Sequence, residues 1–534
     1  MRREWKSGVS WAGVMVLAAC TALGQATKPE QGAGQNPPGG GAVPGTPGQG
    51  QDAKAKPDTH ITPKQAKELF RSVDDILHFA SSDSKLPIRH EVKRRLTTRD
   101  AVEKYLTEKM KDDKDAKRME RSEIVLKKFG LLDRDFQLQP FLLTLLREQI
   151  AGYYDAKTKT VNLLDWIEPD AQKPVLAHEL THALQDQHLD LDSWESQSDE
   201  DLSHNEKEDN EHLAKDEVDS AREAVLEGQA MAVFVDYSLK PTGRTIVDAP
   251  DMVETLKDNM NDNADSPVMA RAPLLLQESL IFPYREGLGF EQTLLKDEGA
   301  AGAFLGALDR PPATSFEILN PKAYEKAMKV PLLRMPDVHG LLDADWDPYD
   351  IGVMGELDVR IVTELFAGDK AAAVLTPEWN GGMYYAVQNK KLKAAGQGGS
   401  TASVALVYLS QWKSEAAAKT FASIYADELG KKYSGVTPDA DDQAGEGEKV
   451  FKTSEGPALI VVNGKQVFTS ESFDLTTARK LGFMLMGAQG DKDTQVEARL
   501  GPGRAAGSVP MQDLTGSLVR FMGSCGMMKA ALPR

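Results

Sequence analysis

Between Val175 and Leu184 the chain reads Val-Leu-Ala-His-Glu-Leu-Thr-His-Ala-Leu. No other stretch restricts its fold as strongly. Histidines four apart on a helix lie one turn apart on one face, so His178 and His182 can reach a single ion. Glu179 projects beside them, where a carboxylate can take a proton from metal-bound water. Val175, Leu176, Ala183 and Leu184 supply an apolar face, which predicts an amphipathic helix packed on a core. Pro174 suits a first helical turn, so the helix is expected from Val175 to about Leu189. A catalytic zinc usually has three protein ligands, and two histidines leave one to be found.

Two stretches offer it. His188 follows His182 by six residues, the third-ligand spacing of the metzincins, whose pattern needs a glycine to turn the chain back. Gln185 stands at that position, and a helix that continues through it carries residue 188 roughly 240° around from His182. The other stretch is Ala224-Val-Leu-Glu-Gly-Gln-Ala230, with Glu227 as the ligand, or Glu223 one turn earlier on the same face. It resembles the L-x-E-G-x-A signature on the second helix of gluzincin-type zinc metallopeptidases. With His178-Glu179-x-x-His182 it makes the chain similar to those thermolysin-like enzymes over about residues 148 to 240, in what looks like a bacterial branch. The 44 residues between His182 and Glu227 exceed the usual gap, and an acidic loop accounts for the excess.

The resemblance implies a zincin-like fold and one zinc per chain, held by His178, His182 and Glu227. It also implies hydrolysis of a peptide or protein substrate, with Glu179 as general base and then acid. The family adds a Tyr or His that hydrogen-bonds the oxyanion; Tyr284, Tyr237, His204 and His212 are the candidates. In such a fold an edge strand pairs with extended substrate, which points to Gly152, Tyr153 and Tyr154. Asp186 and His188 are candidates for orienting the ligand pair or the helix end.

Charge and cysteine content narrow the alternatives. Against 63 Lys and Arg stand 81 Asp and Glu, a net charge of −18 that disfavours nucleic acid as a partner. Residues 190–219 hold 13 acidic residues against two Lys and read as a solvated loop. Cys20 and Cys525, the only two cysteines, exclude a disulfide framework or an all-cysteine metal site.

Residues 1–26 read as an export signal, with Arg2, Arg3 and Lys6 before an apolar run from Val9 to Leu23. Leu17-Ala-Ala-Cys20 resembles a lipobox, implying a lipid-anchored protein of the bacterial envelope; cleavage after Ala26 would instead give a periplasmic or extracellular one. A tether of residues 27–60 follows, with 14 Gly or Pro in positions 28–57.

The fold class expected is α+β. Helical periodicity from Ile61 to about Leu146 leads to a hairpin at 152–164, and the metal helix comes next. More helix continues to about residue 372, so 61–374 reads as one mainly helical domain. Residues 375–490 read as a smaller α+β domain, with an Asn463-Gly464 turn between two strands, and 491–534 as a tail. A competing reading, from another functional class, is a catalytically inactive, peptidase-like surface lipoprotein whose C-terminal domain binds.

Overall fold

The computed structural model describes residues 60–109, 113–149, 152–191, 194, 205–260, 266–439, 445–489 and 495–496. The export signal with its lipobox, nearly all of the tether and tail, and His204 lie outside them. No helix among the described residues is long and apolar enough to cross a membrane.

The first half is helical around a small sheet. Thr62 caps α1 (Pro63–Ser84) through a reciprocal box with Gln65. Helices α2 (Arg99–Lys109), α3 (Asp113–Phe129) and α4 (Leu138–Gln149) follow. The expected hairpin forms from β2 (Tyr153–Asp155) and β3 (Thr160–Leu164), paired antiparallel. Residues 61–146 are not wholly helical, however. Lys93–Thr97 is a strand, β1, parallel to β3, which puts β3 in the centre and leaves β2 at an edge. Its sequence, Lys-Arg-Arg-Leu-Thr, buries only its last residue, so apolar alternation could not mark it.

Helix α5 begins at Pro169 rather than Val175, and Pro174 lies inside it. Nor is it amphipathic: every residue from Pro174 to Asp186 is buried, which makes it the central helix of the fold. The acidic stretch is also only partly a loop. Asn205 caps α6 (Glu206–Leu213), and α7 (Val218–Leu239) begins within the stretch. Asp209, Asp216, Glu217 and Asp219 of that stretch are buried, and three of them meet fixed donors. Asp209 pairs with His339 at 3.0 Å, Asp216 accepts from Val353 N at 2.6 Å, and Glu217 accepts from Ser315 N at 3.2 Å. Composition reads such residues as solvated; paired carboxylates can be buried.

After α8 (Pro250–Met260) the long α9 (Leu274–Ala300) crosses α7 at a backbone contact. A Cβ on Gly228 would lie 2.3 Å from Gly287 O, and one on Gly287 would lie 2.2 Å from Ala224 O. Only glycine at both positions permits that approach. A wide π-helical turn, Ala301–Gly306, follows α9.

The second half is a seven-stranded antiparallel sheet, and the architecture as a whole is α+β. Its strands are β4 (Trp346–Val353), β5 (Trp379–Asn389), β6 (Val404–Trp412), β7 (Thr437–Pro438), β8 (Glu448–Thr453), β9 (Gly456–Asn463) and β10 (Gln466–Glu471). Their order is β4-β5-β6-β10-β9-β8-β7. The sheet therefore reaches back across residue 375, and β4 and α10 (Glu356–Ala367) belong with it in packing. A register shift between Pro348 and Asp350 breaks the alternation of β4. Alternate residues separate two cores. Tyr384 and Ala386 face the helical half and α11 (Glu415–Lys432), whereas Met383 and Tyr385 face α12 (Leu475–Gly487). From the expected tail, Gln495–Val496 pairs with Val330–Pro331.

Candidate metal centre

Three ligand atoms from two helices converge. His178 and His182 stand on α5 with their ring centroids 4.7 Å apart, and Glu227 comes from α7, packed across it. His178 Nε2 lies 3.0 Å from His182 Nε2 and 3.1 Å from Glu227 Oε2, which is 3.5 Å from His182 Nε2. Three donors about 2.05 Å from a tetrahedral ion would be spaced about 3.3 Å apart. The residues therefore fit a metal. Glu227 Oε2 and His178 Nδ1 are buried without a hydrogen-bond partner.

Electrostatics agree with the geometry. Burial alone would push His182 down, yet the Glu227 carboxylate, with Glu179 and Gln185, raises it to about 9. Burial likewise favours neutral Glu227, but His182 and His178 hold it near about 2. Burial lowers His178 to about 4 against the pull of Glu227. The triad thus sets one carboxylate charge against one imidazolium, at His182 beside a neutral His178, the place a cation would take.

Of the three third-ligand candidates, only Glu227 reaches the pair. Among the described residues His178, His182 and Glu227 form the one group with metal-ligand spacing. His188 points to the surface and meets Asp309 at 3.1 Å. Glu223 is buried on α7 but lies outside the group.

Glu179 is buried beside the ligands, and its Oε2 accepts from Tyr154 N at 2.8 Å, tying the α5 carboxylate to the edge strand. Asp186, one of the orienting candidates, binds the same strand from below. It accepts from Tyr154 Oη at 2.6 Å, from Lys159 Nζ at 2.9 Å and from Leu191 N at 3.1 Å. Tyr153 turns the other way and stacks on Tyr105 at 5.0 Å, while Gly152 is buried. Of the oxyanion candidates, Tyr284 on α9 stacks on His178 with centroids 6.4 Å apart. Burial, then Glu227, Glu223 and Glu179, keep its hydroxyl protonated well beyond the ordinary tyrosine range. Tyr237 instead packs on Phe79, and His212 lies under β4 beside Asp216.

Gln185 and Gln229 were not among the sequence candidates. Gln185 Oε1 meets His182 Nδ1 at 2.8 Å, and its Nε2 reaches Gln229 Oε1 at 2.9 Å. A signal existed: Gln185 is three residues beyond His182, on its helical face. Compared with protein-family models, with curated proteins and with solved structures, the chain matches none.

Proposed function

We propose that the chain is a zinc metallopeptidase of gluzincin type, with a zincin-like first half, exported and held at the bacterial envelope through Cys20 or released without that anchor. One observation carries this reading: His178, His182 and Glu227 present three ligand atoms at coordination spacing, with the Glu179 carboxylate fixed alongside. A donor set of two imidazoles and one carboxylate is that of catalytic zinc sites that keep a position open. Bound there, zinc supplies a Lewis acid that acidifies water and polarises a peptide carbonyl. Glu179, held by Tyr154 N, takes the proton from water and delivers it to the leaving amine. Tyr284 keeps its proton and donates to the developing oxyanion. The edge strand β2 aligns extended peptide through main-chain hydrogen bonds.

The test is metal analysis of the purified protein together with peptide cleavage by the wild type and by Glu179→Gln. One zinc per chain is expected in both, with turnover lower by about 10²–10⁴-fold in the variant. Equal turnover would remove Glu179 from its role. The enclosure of the site, with Glu179 and His182 almost wholly buried, favours a second reading, the inactive binding scaffold. Zinc binding without cleavage of any peptide would decide for it.

A further inference from the structure

The surroundings treat the two imidazoles differently. His178 Nδ1 has no partner, whereas His182 Nδ1 faces Gln185 Oε1 at 2.8 Å. A primary amide accepts at one end and donates at the other, so its orientation decides what it asks of its neighbours. Here the orientation follows from atoms that have no choice. The carbonyls of Ala303 and Phe304, in the π-helical turn, can only accept, and each lies 3.0 Å from Gln229 Nε2. That end of Gln229 must be the nitrogen. Its Oε1 is therefore turned to Gln185 Nε2 at 2.9 Å, which also reaches the carbonyl of Leu226 at 3.1 Å. Gln185 Oε1 is left facing the imidazole. Both amides are fully buried, where an oxygen set against carbonyls would cost roughly 1–3 kcal/mol. No hydroxyl interrupts the relay, so its polarity cannot reverse at one link.

We infer that Gln185 and Gln229 are positioning residues that hold His182 with its proton on Nδ1 and the Nε2 lone pair turned toward His178 and Glu227, an instruction that originates in the Ala303 and Phe304 carbonyls. The relay works for the metal by keeping the right nitrogen unprotonated and the ring at a fixed angle. In this it rests on the zinc reading above. It also explains Gln185, where the metzincin pattern has glycine: the position orients a ligand and does not turn the chain. The π-helical turn acquires a role as well, since it presents two adjacent carbonyls to one amide nitrogen.

The experiment is zinc affinity by chelator competition for Gln185→Met, Gln229→Met and the double variant, with histidine-selective ¹⁵N NMR of the wild type. Gln185→Met is expected to weaken zinc by roughly 10–100-fold, the usual cost of losing a ligand's hydrogen-bond partner. Gln229→Met should cost less, because Leu226 O still directs Gln185. The double variant should bind zinc like Gln185→Met alone, since Gln229 acts only through Gln185. The wild-type spectrum should show His182 protonated at Nδ1 alone, with zinc and, at a pH high enough to leave the ring neutral, without it. Wild-type affinity in Gln185→Met, or an undiminished Gln229→Met effect in that background, would overturn the relay. Should Gln185→Met fail to melt cooperatively, the wild-type spectrum decides alone, and an unprotonated Nδ1 refutes the assignment. A wild type that binds no zinc refutes the metal centre, and the metal-free spectrum of the neutral ring still judges the relay.

Discussion

The helical half and the sheet half both bury charge, but they do so differently. Between α3 and the sheet, Lys128 Nζ is held by Glu455 at 2.8 Å, Ser472 at 2.6 Å and the Thr401 carbonyl at 3.2 Å. Deeper in, Glu471 accepts from Lys432 at 2.5 Å, from Tyr425 at 2.6 Å and from Tyr433. Every charge there has an opposite charge and hydrogen bonds, which is what a buried ion pair needs to offset its desolvation. At the ligand triad on α5 and α7 hydrogen bonding is incomplete. Glu227 Oε2, His178 Nδ1 and Tyr284 Oη are equally buried and have no hydrogen-bond partner. Closed networks hold structure together, while open ones mark atoms arranged for something not in the chain.

Substitutions can break or sharpen this contrast, and the largest effect belongs to the open network. His178→Ala, His182→Ala or Glu227→Ala should each remove stoichiometric zinc while the fold persists, as metal analysis and circular dichroism would show. Retention of tight zinc by all three would end the distinction. Next comes the closed network. Lys432→Met leaves Glu471 buried without its cation and should cost about 3–5 kcal/mol in denaturant unfolding. Zinc stoichiometry should not change, because the two networks share no residue.

A third test concerns Asp83 and Asp236, two carboxylates that belong to neither network. Burial, then the charges of Asp83 and Asp248, raise Asp236 to about 7; burial raises Asp83 to about 6 against Lys85. Folded values above the unfolded value of about 3.9 mean that their stabilisation is complete below pH 4. It is lost as pH rises through 6 and 7. Asp236→Asn retains an acceptor for Ile246 N and cannot ionise, so it should be more stable than the wild type at pH 8, by about 1–2 kcal/mol after allowance for partial exposure. Equal melting of the two proteins at pH 8 would contradict this. The smallest effect is expected from His188→Ala. It breaks a surface pair with Asp309 worth about 0–1 kcal/mol and should leave zinc untouched.

What was legible in the sequence was whatever rests on local spacing. His178, Glu179 and His182 follow from helical periodicity, Glu227 from a short motif, and the 152–164 hairpin from turn chemistry. Features set by distant partners were hidden. β1 exists because β3 offers it a ladder, and its charged residues gave no alternation to read. Asp209, Asp216 and Glu217 were read as solvated because their partners lie some hundred residues away, at His339, Val353 and Ser315. Gln185 and Gln229 look like ordinary helix formers until the carbonyls of Ala303 and Phe304 are placed beside them. Tyr284 stood among four candidates, and only the crossing of α9 over α7 separates it from the others.

That crossing has a kinetic consequence. The ligands on α5 and α7 meet when those two helices pack, and the tyrosine on α9 joins them once Gly228 has docked against Gly287, a contact between residues far apart in sequence. Before α5 and α7 have packed the three-ligand pocket does not exist, so zinc at the proposed site would complete its coordination only after that step. Bound at the proposed site, zinc would act on the folded state, where free zinc at 100 times its dissociation constant adds about 2.7 kcal/mol. Zinc should therefore slow unfolding in proportion to its concentration and leave the refolding rate where it was.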